Sequence, residues 1–258
     1  ADDTNWTPSA SADGRFVAFR SIASNLVPND TNGEWDVFVR DTESGETTRV
    51  SVSSAGAQGN SSSMDPFISA DGRYVVFSSY ASNLVAGDTN EVSDIFVRDR
   101  QAGTTSRVSV SSGGAESNGW CDYPSVSADG RYVAFQSEAS TLVEGDTNGV
   151  SDVFVRDRVA ELTTRVSISS AGEQAGAVCL FPKISSDGRL VTFASKASNL
   201  VANDTNGRQD VFVHDRQVAR TLRVSVASDG TEADGDSAWP AISADGRIVA
   251  FESDAANL

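Results

Sequence analysis

The sequence predicts an all-β protein assembled from repeated four-stranded antiparallel units, and three observations support this. An acidic loop that begins Asp-Thr-Asn recurs every 58 residues, at Asp30, Asp88, Asp146 and Asp204. An Asp-Gly pair recurs with the same period, and short apolar runs without a helical period follow each feature. Because a fixed period in this range is typical of stacked like units, we expect one continuous array over the whole chain.

The period divides the chain into four full repeats and one partial repeat. The repeats lie near 1–58, 59–116, 117–174 and 175–232, and the partial repeat covers 233–258. The last unit therefore stops after its second strand, and natural folds usually cover the strand edge that such an end exposes. Two explanations stay open: a piece of a longer protein, or a ring that tolerates an incomplete fifth unit or completes it with another chain. We expect a single domain or a fragment of one.

The first hairpin of each unit is marked by its Asp-Gly pair. In the third unit, Asp129 and Gly130 separate a proline-containing stretch, 123–127, from the apolar run 132–135. Asp-Gly between two apolar runs is a strong signal for a tight hairpin turn. We therefore expect the first two strands of every unit to be joined by this turn.

The remaining strands differ in their hydrophobic pattern. The second and third runs, 132–135 and 153–155, are apolar without alternation, as in strands that are buried on both faces. The fourth run, 164–169, alternates, as in a strand with one face in water. This gradient from inside to outside is typical of a propeller blade. The sequence thus predicts a β-propeller of four-stranded antiparallel blades with almost no helix.

The composition limits the classes of partner. The net charge is −16, with 36 acidic against 20 basic residues. Such a surface repels nucleic acid and anionic membranes and suits cation binding. The sequence contains neither an apolar run of about 20 residues nor a signal peptide pattern. We expect a soluble, mature chain with no nucleic-acid partner and no membrane insertion.

The two cysteines, Cys121 and Cys179, are also 58 residues apart. Equivalent positions near the axis of a closed ring could approach to disulfide distance, about 5.5–6 Å between Cα atoms. The alternative is two small buried side chains, and both interpretations stay open. A zinc site is not expected, because His214 is the only histidine and no Cys-x-x-Cys pattern occurs.

A recurring sequence pattern resembles a known family. Ser-Ala-Asp-Gly-Arg-x-Val-Ala-Phe at 11–19 and 127–135, with Asp-Val-Phe-Val-Arg-Asp downstream, is similar to the TolB-like (WD-like) β-propeller repeat of bacteria. The resemblance covers the whole chain, although the segment with the acidic loop is longer than usual. It implies the fold, and we expect a secreted or periplasmic protein. Its members include binding and scaffold proteins as well as propellers attached to hydrolase or lyase domains, so the resemblance leaves function open.

The acidic loops present oxygen atoms at alternate positions, as calcium loops do. The side chains of the first aspartate, the asparagine and the last aspartate, with the carbonyl of the fifth residue, are the expected ligands. They are Asp30, Asn32, Glu34 and Asp36; Asp88, Asn90, Val92 and Asp94; Asp146, Asn148, Val150 and Asp152; and Asp204, Asn206, Arg208 and Asp210. The alternative is an Asx-turn, in which these side chains bind their own backbone.

Two tryptophans are candidate ligand-binding residues. In a propeller, the loops after the second and fourth strands share one face, which we call the loop face. Trp35 and Trp120 fall in or beside these loops and have no aromatic counterpart 58 residues away. Aromatic side chains among polar groups can stack on sugars or anchor a partner protein. Trp239 differs, because it aligns with Tyr123 and Phe181, and blade packing explains it.

Catalysis has little support in the sequence. Residues 235–237 lack a Gly-x-Ser-x-Gly elbow, and His214 occupies a strand position that holds arginine in the other repeats. We therefore expect no catalytic residue and predict a non-enzymatic, calcium-stabilised module that recognises a protein or glycan through its loop face. The alternative is the propeller domain of a secreted polysaccharide lyase, glycosidase or peptidase. Self-association through the open blade edge is a further possibility.

Overall fold

The computed structural model describes residues 5–258, with side chains from Trp6 onwards. Its strands form four four-stranded sheets and one two-stranded sheet, all antiparallel and all in sequence order. No residue in this range is helical, which confirms the all-β prediction. Accordingly, the described part of the chain holds no helix that could cross a membrane.

Each sheet corresponds to one repeat, and we call each sheet a blade. The first blade contains β1 (Asn5–Ala10), β2 (Phe16–Ser21), β3 (Asp36–Asp41) and β4 (Thr47–Arg49). The second contains β5 (Ser63–Ile68), β6 (Tyr74–Ser79), β7 (Asp94–Asp99) and β8 (Thr104–Arg107). The third contains β9 (Cys121–Val126), β10 (Tyr132–Ser137), β11 (Asp152–Asp157) and β12 (Leu162–Arg165). The fourth contains β13 (Cys179–Ile184), β14 (Leu190–Ser195), β15 (Asp210–Asp215) and β16 (Arg220–Arg223). The fifth contains β17 (Ser237–Ile242) and β18 (Val249–Ser253).

The first strands of successive blades lie beside one another and surround a central channel. Each of these inner strands is interrupted by an irregularity in its pairing with the second strand. A bulge of this kind re-aims a side chain. The bulged residues all have positive φ, between 49° and 58°, and they are Thr7, Asp65, Tyr123, Phe181 and Trp239.

The hydrophobic core lies between neighbouring blades. The third and fourth blades, for example, enclose a cluster that includes Val155, Val166, Val191 and Phe193. The central residues of β11 are fully buried, which confirms that the third strand is covered on both faces. The blades therefore stabilise one another through their faces, as expected of stacked repeat units.

The fourth strand is shorter than the sequence predicts. The alternation over 164–169 predicts a strand, but β12 ends at Arg165. The backbone N–H of Val166 donates to the carbonyl of Val153, and the Ser167 hydroxyl donates to the Asp152 carboxylate. These bonds turn the chain across the end of β11 and leave only an isolated bridge at Ile168.

Both cysteines are free and buried, in equivalent places on β9 and β13. The Cys121 sulfur lies 3.2 Å from the hydroxyl oxygens of both Ser117 and Ser137. Burial raises the pKa of both thiols to about 12. Of the two interpretations, the structure shows the one with small buried side chains.

Candidate binding site at the central channel

Each acidic loop is closed by an arginine from the fourth strand of its own blade. In the third blade, Nη1 of Arg165 lies 3.0 Å from Oδ1 of Asp146 and 3.3 Å from Oδ2 of Asp152. Equivalent arginines close the other loops, and they are Arg49, Arg107 and Arg223. The guanidinium therefore sits between the two aspartates that the sequence assigns to calcium.

The asparagine of each loop forms the Asx-turn. Oδ1 of Asn148 accepts from the backbone N–H of Val150 at 3.3 Å, and Nδ2 donates to Asp152 at 2.8 Å. Oδ1 of Asp152 accepts from the Ser167 hydroxyl at 2.5 Å. The same asparagine turn is present at Asn32, Asn90 and Asn206. Both carboxylate oxygens of Asp152 are thus occupied by protein donors.

These donors do not fit a resident calcium ion as they stand. In each loop the asparagine presents its N–H₂ group, not its oxygen, to the last aspartate. Over residues 5–258, no group of three or more His, Cys, Asp or Glu side chains could hold a metal ion. Calcium binding by these loops stays a prediction, and it would require the arginine to withdraw.

The loops of the second and fourth blades carry an excess of negative charge. Besides the two aspartates, Arg107 contacts Glu116 at 2.5 Å and Arg223 contacts Glu232 at 2.6 Å. Burial raises the pKa of Asp88 to about 6, and the neighbouring Asp94 and Glu116 add to this effect, while Arg107 opposes it. One guanidinium therefore only partly compensates three carboxylates.

The two predicted tryptophan sites differ in exposure. Trp120 is 54% exposed, just before β9. Trp35 is only partly exposed, and the Arg20 guanidinium lies 5.3 Å from its ring centre. Trp120 is therefore available to a partner, whereas Trp35 is held in a cation–π contact.

The central channel is a second candidate site, and the sequence analysis did not identify it. A cavity of about 500 Å³ is lined by residues from the inner strands of all five blades. Its walls include three of the bulged aromatic and acidic residues, Asp65, Tyr123 and Trp239, together with Phe67 and Lys183. Four of the five bulged residues with positive φ therefore line the channel: Thr7, Asp65, Tyr123 and Trp239.

One wall of the channel is aromatic. The rings of Phe181 and Trp239 stack at 3.7 Å, and Tyr123 meets them edge-on at 5.2 Å and 6.1 Å. The packing expected for Trp239 is present, but the residue is still 50% exposed. An apolar surface therefore faces the channel.

The other wall is polar and incompletely paired. Nη1 of Arg20 lies 3.8 Å from Oδ1 of Asp65, too far for a hydrogen bond, and Nε of Arg20 is buried without a partner. The Lys183 ammonium lies 5.4 Å from the Phe67 ring centre. Burial raises the pKa of Asp65 and lowers the pKa of Lys183.

The channel positions differ between blades, whereas the framework positions repeat. The loop aspartates, the closing arginines and the Asp-Gly turns recur in successive repeats. The bulged position instead holds Thr, Asp, Tyr, Phe and Trp in turn, and the position two residues later holds Ser, Phe, Ser, Lys and Ala. Comparing repeats for their differences would have found these residues, because the same 58-residue alignment contains the signal.

His214 has a structural environment. It is 3% exposed on β15, and its Nδ1 lies 2.9 Å from the Thr221 hydroxyl. The equivalent arginine of the third blade, Arg156, contacts the equivalent threonine, Thr163. The strand position that the sequence indicates for His214 thus accounts for its contacts.

The fold is that of a TolB-like β-propeller, and comparisons with known proteins support this. TolB from Acinetobacter baumannii superposes with a TM-score of 0.58 and 16% identity over 96% of this chain and 48% of that chain. Oligogalacturonate lyase from Vibrio parahaemolyticus gives 0.57 and 13% over 97% and 58%. The β-propeller domain of the Trilobed protease from Pyrococcus furiosus, described as having an open velcro topology, gives 0.58 and 12% over 96% and 64%.

These similarities concern the fold alone. No family model and no curated protein matches this chain. The chain spans between about half and two thirds of the length of the three structures compared. What any of these proteins binds or cleaves is therefore a property of that protein.

Proposed function

We propose that this chain is a non-enzymatic binding module that holds a protein or glycan partner in its central channel and on the loop face around it. The observation that carries the proposal is the blade-to-blade variation of the channel residues. The repeat framework needs the same residues in every blade, but it does not need Asp65, Tyr123 and Lys183 at single positions. Convergent polar groups beside an apolar wall are the usual features of a ligand site.

Exposed aromatic surface supports a partner on this face. Trp120 and Trp239 are each at least half exposed, and tryptophan is enriched among residues that contribute most to binding. Trp35 contributes less in this proposal, because Arg20 covers it.

The rival proposal is an enzyme, and the comparison structures keep it open. They include a lyase and the propeller domain of a protease. In residues 5–258, however, His214 is the only histidine, and it is buried against a threonine. The carboxylates of the acidic loops are bound to arginine. If this chain is catalytic, the channel groups Asp65 and Lys183 are the residues to test first.

Binding and turnover can be measured together. The immobilised chain is titrated with starch, β-glucan, polygalacturonate and casein, while new reducing ends and new amines are measured in the same samples. We expect binding without product, weakened in Trp120→Ala and Trp239→Ala. Leu222→Ala is the control, because Leu222 is exposed on the outer strand β16. Product formation by this chain alone would show that it is an enzyme.

The secreted or periplasmic location and a count of four blades plus a half blade stay predictions, and calcium stabilisation stays one that the loop arginines oppose. The same five inner strands would line the channel in this chain alone and in a longer protein with further blades. The proposed function does not depend on the number of blades.

A further inference from the structure

We propose that the channel site takes a neutral sugar residue, stacked on the Phe181–Trp239 pair and hydrogen-bonded by the opposite wall. This inference rests on the proposed function, because it names the ligand class of the same channel. Three observations support it: the aromatic wall, the unpaired polar groups of the opposite wall, and the cancelling formal charges of those polar groups.

The aromatic wall provides a platform of the kind that sugars use. Phe181 and Trp239 are nearly parallel, with an interplanar angle of 21°. Trp239 keeps half of its surface exposed although it is stacked on a neighbour. The C–H face of a pyranose ring can cover such an apolar surface while its hydroxyls stay directed at polar groups.

The polar wall offers donors and acceptors that the protein itself leaves unused. Asp65 and Lys183 both line the cavity, and within residues 5–258 the Lys183 ammonium makes no hydrogen bond or ion pair. Asp65 has only its long contact to Arg20. Buried polar groups normally have hydrogen-bond partners. A ligand with several hydroxyls would supply both donors and acceptors to these groups.

The charges of the channel favour a neutral ligand. Asp65 and Lys183 are the charged residues that line the cavity, and their formal charges cancel. An anionic or cationic ligand would meet one group of each sign and gain little net Coulomb energy. A neutral polyhydroxyl ligand is hydrogen-bonded by charged groups of both signs, which make the stronger hydrogen bonds.

An extended peptide fits less well. A peptide that adds to a strand edge needs a continuous row of backbone N–H groups. Each inner strand carries a proline next to its bulge, and Pro8, Pro66 and Pro124 line the channel. Proline has no N–H to donate, and the bulge interrupts the remaining row. The cavity of about 500 Å³ lies in the usual range for small-ligand sites.

The test uses neutral trisaccharides with different linkages: maltotriose, cellotriose and chitotriose. Binding is measured by calorimetry and by tryptophan fluorescence, with trigalacturonate and tri-alanine as the charged and the peptide probes. We expect at least one neutral trisaccharide to bind and trigalacturonate to bind more weakly. Trp239→Ala and Lys183→Met should each weaken the neutral ligand about tenfold or more. Asp65→Asn, which keeps the shape, should weaken it less.

The controls separate this inference from the proposed function. Leu222→Ala should leave trisaccharide binding unchanged, and far-ultraviolet spectra should show that every variant is folded. If a neutral trisaccharide binds equally well to Trp239→Ala and Lys183→Met, the channel is not its site and the inference is wrong. If only tri-alanine or trigalacturonate binds, and Trp239→Ala abolishes that binding, the sugar assignment is wrong but the binding module stands. If no probe binds, the sugar assignment is also wrong, while the titrations with starch, β-glucan and casein still test the module.

Discussion

The ring of Tyr74 lies directly over Gly130 of the next blade, where an added Cβ would meet the ring at 2.1 Å. Two guanidinium groups flank the same ring, each 4.8 Å from its centre: Arg73 of its own blade and Arg158 of the next. The contact recurs between the first and second blades and between the third and fourth. Each of the first three blades thus inserts a ring into the hairpin turn of the next blade, and the fourth places Leu190 over Gly246.

This contact predicts unequal costs for two alanine substitutions. Gly130 and Gly14 have nearly the same φ, +73° and +72°, but no atom lies within 4 Å of a Cβ on Gly14. Gly14→Ala should cost about 1–2 kcal/mol, from backbone strain alone. Gly130→Ala should cost a further ~1–3 kcal/mol, because the ring must move. Guanidinium chloride unfolding of both variants measures the difference. Equal free energies of unfolding would contradict a blade contact at Gly130.

The loop arginines predict a second stability difference. The Arg165 side chain is 10% exposed and contacts the fully buried Asp152. Removing one partner of a buried pair leaves the other charge uncompensated, so Arg165→Met should cost about 3 kcal/mol or more. Arg189, which is 45% exposed and bonded to Asp215, is the matched control, and Arg189→Met should cost about 1 kcal/mol or less. Urea unfolding at fixed pH measures both. Similar costs for the two substitutions would show that the loop arginine is not a buried cation.

The fold was predictable because its signals are local and repeated. The Asp-Gly turns and the doubly apolar strands each specify a blade element, and the period specifies their stacking. The end of β12 at Arg165 was not predictable from alternation, since it depends on the Ser167 hydroxyl reaching Asp152. That contact joins two residues 15 positions apart in the sequence, and the alternation of apolar and polar residues does not contain it.

The acidic loops show that a sequence motif can predict the conformation of a loop without predicting which cation lies in it. The spacing of Asp146, Asn148 and Asp152 indicates a tight loop with oxygens turned inward, and the structure has that loop. The positive charge comes from Arg165, which lies 13 residues beyond Asp152 and faces it across the β11–β12 pair. The channel site was missed for another reason: its residues are defined by how they differ between repeats, not by what recurs.

The arginine arrangement gives an expectation for calcium. A calcium ion would have to displace Arg165 and reverse the Asn148 amide, so we expect the wild-type chain to melt at nearly the same temperature in calcium and in chelator. Arg165→Ala removes the competing cation and leaves the two aspartates, so it should acquire a calcium response that magnesium does not reproduce. A ligand that binds only the folded state and is present at a hundred times its Kd adds about 2.7 kcal/mol to the free energy of unfolding. A clear calcium shift in the wild type would instead confirm the calcium stabilisation that the sequence predicts.

His214 predicts a dependence of stability on pH. Burial lowers its pKa from 6.5 to about 4, while Asp215 raises it and Arg216 lowers it to a smaller extent. Between these two pH values the unfolded chain binds a proton at this residue and the folded chain does not. The free energy of unfolding contributed by His214 is therefore complete above pH 6.5 and falls as the pH falls towards 4. The loss is on the order of 2–3 kcal/mol over that range.

A substitution taken from the protein's own repeats isolates this effect. His214→Arg introduces the residue of the other blades, where Arg156 bonds to Thr163 at 3.2 Å, and arginine does not titrate between pH 4 and 7. Asp88, whose pKa is raised to about 6, makes the opposite contribution, because its folded form holds a proton longer. That contribution is common to both proteins and cancels in the difference. The free energy of unfolding of the wild type minus that of His214→Arg should therefore fall from pH 7 to pH 4. If the difference stays constant over that range, His214 is not buried in its neutral form.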